Sequence, residues 1–328
     1  MSVKDDVLKI LSENKGKHYS GEEIAKELNV SRNSVWKAVN ALKKSGYKID
    51  GINNKGYCMA ADNDVLSKIN IEKYLNNELR QLVNLEVRES VDSTNNQMKL
   101  CASEGGMEWE ILIAEEQTNG RGRKNRVFFS PAKTGIYMSI LLRPKMEVKD
   151  ALFITTMAAV AVTEAIENVT GEKTEIKWVN DVYCNDKKIC GILTEASMDL
   201  ENGMLEYAVL GIGINVMVPE NGFPKEITAI ADALYSFDRV VFDVKSRITA
   251  EVINRIYYYY TNLPKHDFMH VYRDKSMLIG KYVYITDDES KNELYVIDVD
   301  DDASLVVKDK SGAVRKLSSG EVSVKKIN

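Results

Sequence analysis

Apolar residues repeat with a helical period through the first 45 positions of the chain and then switch to alternation. In VKDDVLKILSEN the apolar positions Val3, Val7, Leu8, Ile10 and Leu11 fall on one helical face. Ser20 stands three residues before Glu23, the spacing of a capping box, and opens a short helix that turns Ile24, Ala25 and Leu28 inward. Asn29-Val30 reads as a tight turn. Ser31 then caps a third helix with Val35, Val39 and Leu42 inward and Gly46 at its end. The stretch Tyr47 to Met59 alternates and turns at Asn53-Asn54, the pattern of a two-stranded wing. Residues 1–60 are therefore expected to form a winged helix-turn-helix, followed by a short linker at 61–64.

From residue 65 strands and helices alternate. LEVRESVDSTN is a strand running into a loop and then a helix, with Ser93 or Thr94 as its cap, and EWEILIAEEQ is a strand entering the loop NGRGRKNRVFFSP at 119–131. GIYMSILLRP reads as a strand closed by Pro144. ALFITTMAAVAVTEAIENVTG reads as a long apolar helix, buried rather than membranous because Thr155, Thr156, Thr163 and Glu164 interrupt it. TEIKWVNDVYCNDKKICGILTEASM, with a hairpin at Asn185-Asp186, and EYAVLGIGINVMV complete a mixed sheet expected to carry helices on one face. This central α/β catalytic domain spans 65–272. Residues 273–328 alternate with Gly and Asp turns and suit a small SH3-like β-barrel, so the whole is a multidomain α+β chain. The run Tyr257–Tyr260 lies in a helical pattern and reads as core packing. GIGINV lacks the third glycine of a dinucleotide fingerprint and reads as a buried strand ending in a glycine-rich turn.

Composition narrows the function classes. A 44% apolar and 28% charged chain of 328 residues is that of an ordinary globular protein. The polar start MSVKDDVLKI carries no secretory signal, and no membrane span is expected. Cys58, Cys101, Cys184 and Cys190 form no CxxC pair and suit the reducing cytoplasm. Residues 1–60 hold 11 Lys/Arg against 7 Asp/Glu, whereas the remainder holds 33 against 42. A basic head on an acidic body implies two different partners. On the third helix Arg32, Asn33, Lys37, Asn40, Lys43 and Lys44 point outward. The cations would neutralise phosphates and the two asparagines could read base edges. The loop at 119–131 concentrates Arg121, Arg123, Lys124 and Arg126 among Gly120 and Gly122, a composition suited to anions approached closely by backbone N–H groups.

Four segments then stand together, VDSTN, QTNGRGRKNR, KWVND and GIGIN, with KKICGIL between the last two. In this order and spacing they resemble the biotin protein ligases, and the N-terminal winged helix extends the resemblance to the branch that is both ligase and biotin-operon repressor. The resemblance implies a class II synthetase-like catalytic domain that converts biotin and ATP to biotinyl-5′-AMP, with Mg²⁺ held mainly by the ATP, and passes biotin to one lysine of a biotin carboxyl carrier protein. It implies catalytic roles for Arg121, Arg123 and Lys177. Ser93, Thr94, Asn95, Gln117, Arg121, Gly122, Arg123 and Lys177 are implied as the biotin site, and Gly120, Arg123, Lys177, Asn180 and Asn215 as the ATP and adenylate site. It further implies a homodimer, formed through the central sheet when adenylate is bound, that represses biotin genes at a palindromic operator.

The chain departs from the family pattern at three positions: Asn125 stands where glycine is common, Phe128 where Trp is frequent and Val179 where Pro is usual. Alternatives of other classes are a lipoate ligase, a biotin-sensing repressor with weak or no ligase activity, and a ligase whose winged helix is only structural.

Overall fold

The computed structural model describes residues 2–52, 55–60, 64–199, 201–239, 241–285, 292–318 and, for the backbone alone, 324–326. The chain folds as two compact units, Met1–Leu75 with Asp238–Ala250, and Asn76–Phe237 with Glu251–Asn328.

In the first unit the local signals act as expected. Helices α1 (Val3–Glu13), α2 (Gly21–Glu27) and α3 (Arg32–Lys44) precede strands β1 (Ile49–Ile52) and β2 (Gly56–Met59) and helix α4 (Lys68–Glu72). Ser20 accepts from the Glu23 backbone while the Glu23 side chain accepts from the Ser20 backbone, a complete capping box. Ser31 caps α3 by accepting from Ser34 N. That helix stops in a Schellman turn: Gly46 takes φ +91°, its N–H donates to Lys43 O, and Tyr47 N donates to Leu42 O. Val7, Leu11, Ile24, Val35, Val39, Leu42 and Met59 close over one core. The wing strands pair antiparallel with Ile49 opposite Met59; the Asn53-Asn54 turn and most of the 61–64 linker lie outside the described residues. Gly56 must be glycine, because a Cβ there would lie 2.0 Å from Tyr19 O, and Tyr19 and Tyr57 bridge at that point.

The second unit is built from α5 (Asn77–Leu82), β3 (Asn84–Arg88), α6 (Thr94–Ser103), β4 (Glu110–Ala114), β5 (Gly135–Leu142), α7 (Leu152–Thr170), β6 (Glu175–Lys177), β7 (Asp181–Cys184), β8 (Lys187–Met198), β9 (Leu205–Asn215) and α8 (Lys225–Thr228). It continues through α9 (Val244–Thr261), of which residues up to Ala250 belong to the first unit, and α10 (Met269–Asp274), to β10 (Tyr282–Ile285), β11 (Leu294–Val299), β12 (Leu305–Lys308), β13 (Val314–Leu317) and β14 (Val324–Lys326). Its main sheet has the order β3-β4-β5-β9-β8-β7-β6. Only the β3–β4 pair is parallel among the described residues, so the sheet is mixed. The β7–β8 hairpin turns at Asn185 and Asp186, both left-handed at φ +50° and +60°, as a two-residue turn requires.

The expected placement of helices on one face is corrected. Gly211 of β9 pairs with Ser139 and Leu193, and its neighbour Leu210 pairs with Thr194. Adjacent strand residues point to opposite faces. Asn95 at the start of α6 bonds to Ser139, whereas Thr155 of α7 bonds to Thr194. The two helices therefore lie on opposite faces. The longer one, α7, is the buried core helix expected from its threonines, with Phe153 to Thr163 buried throughout, and Gly171 ends it at φ +78°. The shorter one, α6, covers only part of its face, through Met98 and Ala102 against Leu112, Leu141 and Val209, and the uncovered part is open to a ligand.

The C-terminal strands form an antiparallel sheet of order β13-β12-β11-β10-β14. Where an SH3-like barrel was expected, this sheet is open, with β13 and β14 at its edges among the described residues. The same segment protects an exposed edge of the main sheet: Ile176 N donates to Lys275 O and Met277 N to Ile176 O. Two buried bonds then brace the turn after β6, from Trp178 Nε1 to Ala303 O at 2.9 Å and from Tyr272 Oη to Val179 O at 3.0 Å. Of the tyrosine run, Tyr259 is buried but Tyr258 is 58% exposed, so core packing accounts for only part of it. Tyr257, Tyr259 and Tyr260 donate to Glu78, Glu164 and Glu108.

A buried ionic cluster lies within the first unit. Lys15 pairs with Asp243 at 3.0 Å, and Tyr74 Oη donates to the same carboxylate oxygen. Asp64 accepts from Lys245 N, yet burial outweighs the Lys245 charge and pushes its carboxyl up to about 6. The folded state then binds the Asp64 proton more tightly than the unfolded chain, so its stabilising contribution is complete below the unfolded value of 3.8 and is lost as pH rises through about 6. Asp64→Asn is expected to gain about 1–3 kcal/mol relative to the parent between pH 4 and 7. Denaturant unfolding of the two proteins across that range checks this; a difference independent of pH would refute it.

Candidate active site

A cavity of about 960 Å³ opens on the uncovered face of the main sheet. Its floor is Gly191 and Leu193 of β8 with Gly211, Gly213 and Asn215 of β9. The glycines are there for space. A Cβ on Gly213 would lie 2.4 Å from the Phe128 ring, and one on Gly211 would lie 2.1 Å from Asn95 Oδ1. The reading of GIGIN as a buried strand thus holds, while its glycines let a side chain and a ligand approach the sheet.

The start of α6 forms one wall. Ser93 occupies the N-cap position but makes no cap hydrogen bond. Asp92 instead receives the Asn96 and Gln97 side-chain amides at 2.9 and 2.8 Å. Although burial raises the Asp92 carboxyl, these bonds hold it below the ordinary carboxylate value. Gln117 Oε1 accepts from Thr94 N at 2.8 Å and lies 3.1 Å from Thr94 Oγ1, while Gln117 Nε2 donates to Ser130 Oγ. Asn95 is committed at both ends of its amide. Oδ1 accepts from Ser139 Oγ at 2.6 Å, and Nδ2 donates to Leu193 O and to Glu195 Oε2.

The basic loop forms an adjoining wall as a small hairpin. Arg121 bridges Val127, Phe128 N donates to Gly120 O and Gly122 N to Arg126 O. Lys124 and Asn125 at its tip are left-handed at φ +55° and +57°. Asparagine tolerates that conformation better than most side chains, which explains how it replaces the family glycine. Gly120 lies under the hairpin, where a Cβ would meet Phe128 O at 2.4 Å.

Charge is concentrated here. Arg121, Arg123, Lys124, Arg126, Lys177 and Lys188 line the cavity against Asp181 and Asp186, so a chain of net charge −5 presents a locally cationic cavity suited to an anion. Arg123 donates to Asn180 Oδ1 at 3.2 Å. Burial pulls its pKa down, which favours an anionic partner that restores the lost solvation. Asn180 is itself pinned by Nδ2 to Ile192 O at 2.7 Å and by Ile192 N to its carbonyl. Lys188 pairs with Asp181 at 2.6 Å, and the Lys177 ammonium lies 5.6 Å from the Tyr183 ring centroid. Asn215 donates to Asp232 O at 3.0 Å.

Ser93, Thr94, Asn95, Gln117, Arg121, Gly122, Arg123, Lys177, Asn180 and Asn215, selected from sequence, all line this one cavity; Gly120 lies behind it. Sequence reading missed Ser130 and Ser139, which hold Gln117 and Asn95, and Lys188, Asp181 and Phe223, which line the cavity. It also missed Glu195. Lys99 donates to Glu195 Oε1 at 2.7 Å, and Arg121 approaches the same oxygen at 3.5 Å. No spacing signal connects these residues; the only hint was the single acidic residue of strand β8.

In the first unit Arg32, Asn33, Lys37, Lys43 and Lys44 are exposed along α3, and Asn40 is half-buried. They form one outer face. Trp36, not selected from sequence, is 55% exposed beside them.

Comparison with known proteins agrees with this arrangement. Residues 87–215 match the model of the Biotin/lipoate A/B protein ligase family, and residues 4–58 match an HTH domain. The bifunctional ligase/repressor BirA of Bacillus subtilis is 35% identical over 235 residues, 71% of each chain. That of Escherichia coli is 28% identical over 203 residues, 61% of this chain and 60% of its own. Among solved structures, the biotin protein ligase of Aquifex aeolicus in complex with biotin and ATP superposes with a TM-score of 0.62 at 27% identity, covering 74% of this chain and 99% of that one. A mixed-sheet ligase domain joined to a helix-turn-helix is a two-function architecture, and the chain belongs to the biotin protein ligase family, in its bifunctional ligase/repressor branch.

Because Gly211 is closed in by Asn95, Gly211→Ala must displace α6 or the strand. The expected cost is roughly 1–3 kcal/mol, read as a lower urea midpoint with an unchanged slope. A midpoint equal to the parent's would show that α6 is not seated on β9 as described.

Proposed function

We propose that the protein activates biotin with ATP to biotinyl-5′-AMP and transfers biotin to a specific lysine of a biotin carboxyl carrier protein. What carries this reading is the surplus of positive charge in a cavity that gathers the sequence-selected polar residues on a glycine floor. In the first step a biotin carboxylate oxygen attacks the α-phosphorus of ATP and pyrophosphate leaves, so two anions must be brought together. Arg121 and Arg123 offset their repulsion, and Lys177 follows the charge into the acyl phosphate. In the second step the unprotonated amine of the carrier lysine attacks the acyl carbon and AMP leaves. Ser93, Thr94 and Gln117 serve the ureido end, with Asn95 acting by holding them, and Gly120, Asn180 and Asn215 support the nucleotide side. Mg²⁺ arrives with ATP and adds charge neutralisation at the phosphates.

Residues 1–60 are assigned to operator binding and 61–64 to the linker, 65–272 to catalysis, and 273–328 to a small antiparallel β module that braces the Lys177 turn. The adenylate-bound form is proposed to dimerise through the central sheet and to repress biotin genes at a palindromic operator, in the cytoplasm. The exposed basic face of α3 supports this reading.

Purified protein is expected to exchange labelled pyrophosphate into ATP with biotin but not with lipoate, and Arg123→Ala to lose about 100-fold or more in kcat/KM. Biotin binding without exchange would leave a sensor and repressor in place of a ligase. Sedimentation should show association only with biotin plus ATP, and operator affinity of that form should fall steeply with salt. A monomer under both conditions at micromolar protein would rule out the dimer switch.

A further inference from the structure

Arg121 reaches the cavity from a guanidinium already engaged at its rear. One nitrogen, Nη1, contacts both Asn96 Oδ1 at 3.0 Å and Glu195 Oε1 at 3.5 Å, leaving the remaining donors of the fork for a ligand. A carboxylate behind an anion-binding arginine would ordinarily cancel its charge. Here it does not, because Lys99 sits on the same oxygen at 2.7 Å while Asn95 Nδ2 donates to the other at 2.9 Å. Burial raises the Glu195 carboxyl, but the Lys99 and Asn95 bonds prevail and hold it below its ordinary value. Lys99 and Glu195 thus form a closed neutral pair, and the three-residue cluster keeps one net positive charge at the end that faces the cavity. Neither residue of the pair lines the cavity, and their side chains are 31% and 23% exposed.

We infer that Lys99 is a positioning residue for the reaction. By neutralising Glu195 it leaves the Arg121 charge available to the substrate carboxylate, while Glu195 fixes the direction of the guanidinium. The inference rests on the ligase reading above.

The geometry makes the effect one of charge accounting, which a double substitution can separate from a folding role. Lys99→Met leaves Glu195 to cancel Arg121, and the biotin KM in pyrophosphate exchange is expected to rise about five-fold at low salt, with kcat little changed. The effect should shrink as salt screens the partly exposed cluster. Adding Glu195→Gln in the Lys99→Met background restores the net charge of the parent and keeps an acceptor for Arg121, so KM should return to within about two-fold of the parent. Parent-like KM in Lys99→Met, or a raised KM that the second substitution does not correct, would overturn the inference even if both variants melt lower. Absence of biotin-dependent exchange by the parent protein would remove the ligase reading, and this inference with it.

Discussion

The N-terminal end of α6 is fixed to the sheet by one buried amide. Asn95 receives the Ser139 hydroxyl from β5, donates to the Leu193 carbonyl of β8 and to Glu195, and is admitted by the missing side chain of Gly211 on β9. Three strands and a helix therefore share one group that uses both of its donors and accepts at its oxygen. Leaving such a group unsatisfied costs far more than the bond gains, so the arrangement is specific as well as stable. It fixes Thr94, and through Thr94 the Gln117 side chain, which in turn holds Ser130 at the exit of the basic hairpin. The cavity is thereby framed before any ligand enters.

Electrostatics divides the molecule in the same way as function. An acidic chain gathers two clusters of cations, on the outer face of α3 and along the hairpin wall of the cavity. In and behind the cavity, placement of carboxylates matters as much as placement of cations. Asp181 holds Lys188, and Glu195 holds Lys99 and Arg121. Each carboxylate directs a cation, yet the cationic surplus survives. A positively charged cavity built only of arginine and lysine would repel itself and lose the side-chain order on which binding depends.

The C-terminal segment has a structural use whatever else it does. By pairing residues 275–277 with β6 and bonding to Trp178 and Val179, it closes an exposed sheet edge and braces the turn between Lys177 and Asn180. Val179 stands where the family usually has proline, and the peptide before it is cis. The neighbouring bonds come from α10 and from the turn before β12, so the position of the turn is supported from outside its own sequence.

Sequence by itself determined what depends on neighbours a few residues apart. The Ser20–Glu23 capping box, the Gly46 stop, the Asn185-Asp186 hairpin and the buried long helix were legible because helix caps, turns and periodicity are local. The cavity residues were legible as well, through the order of four motifs rather than through any one of them. Tertiary structure alone decided the rest. It set α6 and α7 on opposite faces, left Ser93 without a cap bond while the Thr94 N–H found Gln117, left the C-terminal sheet open, and brought Glu195 to Lys99 and Arg121 across 96 and 74 residues of chain. Those outcomes depend on strand register and on which buried polar groups find partners. Both are settled by contacts far apart in sequence, and no local pattern encodes them.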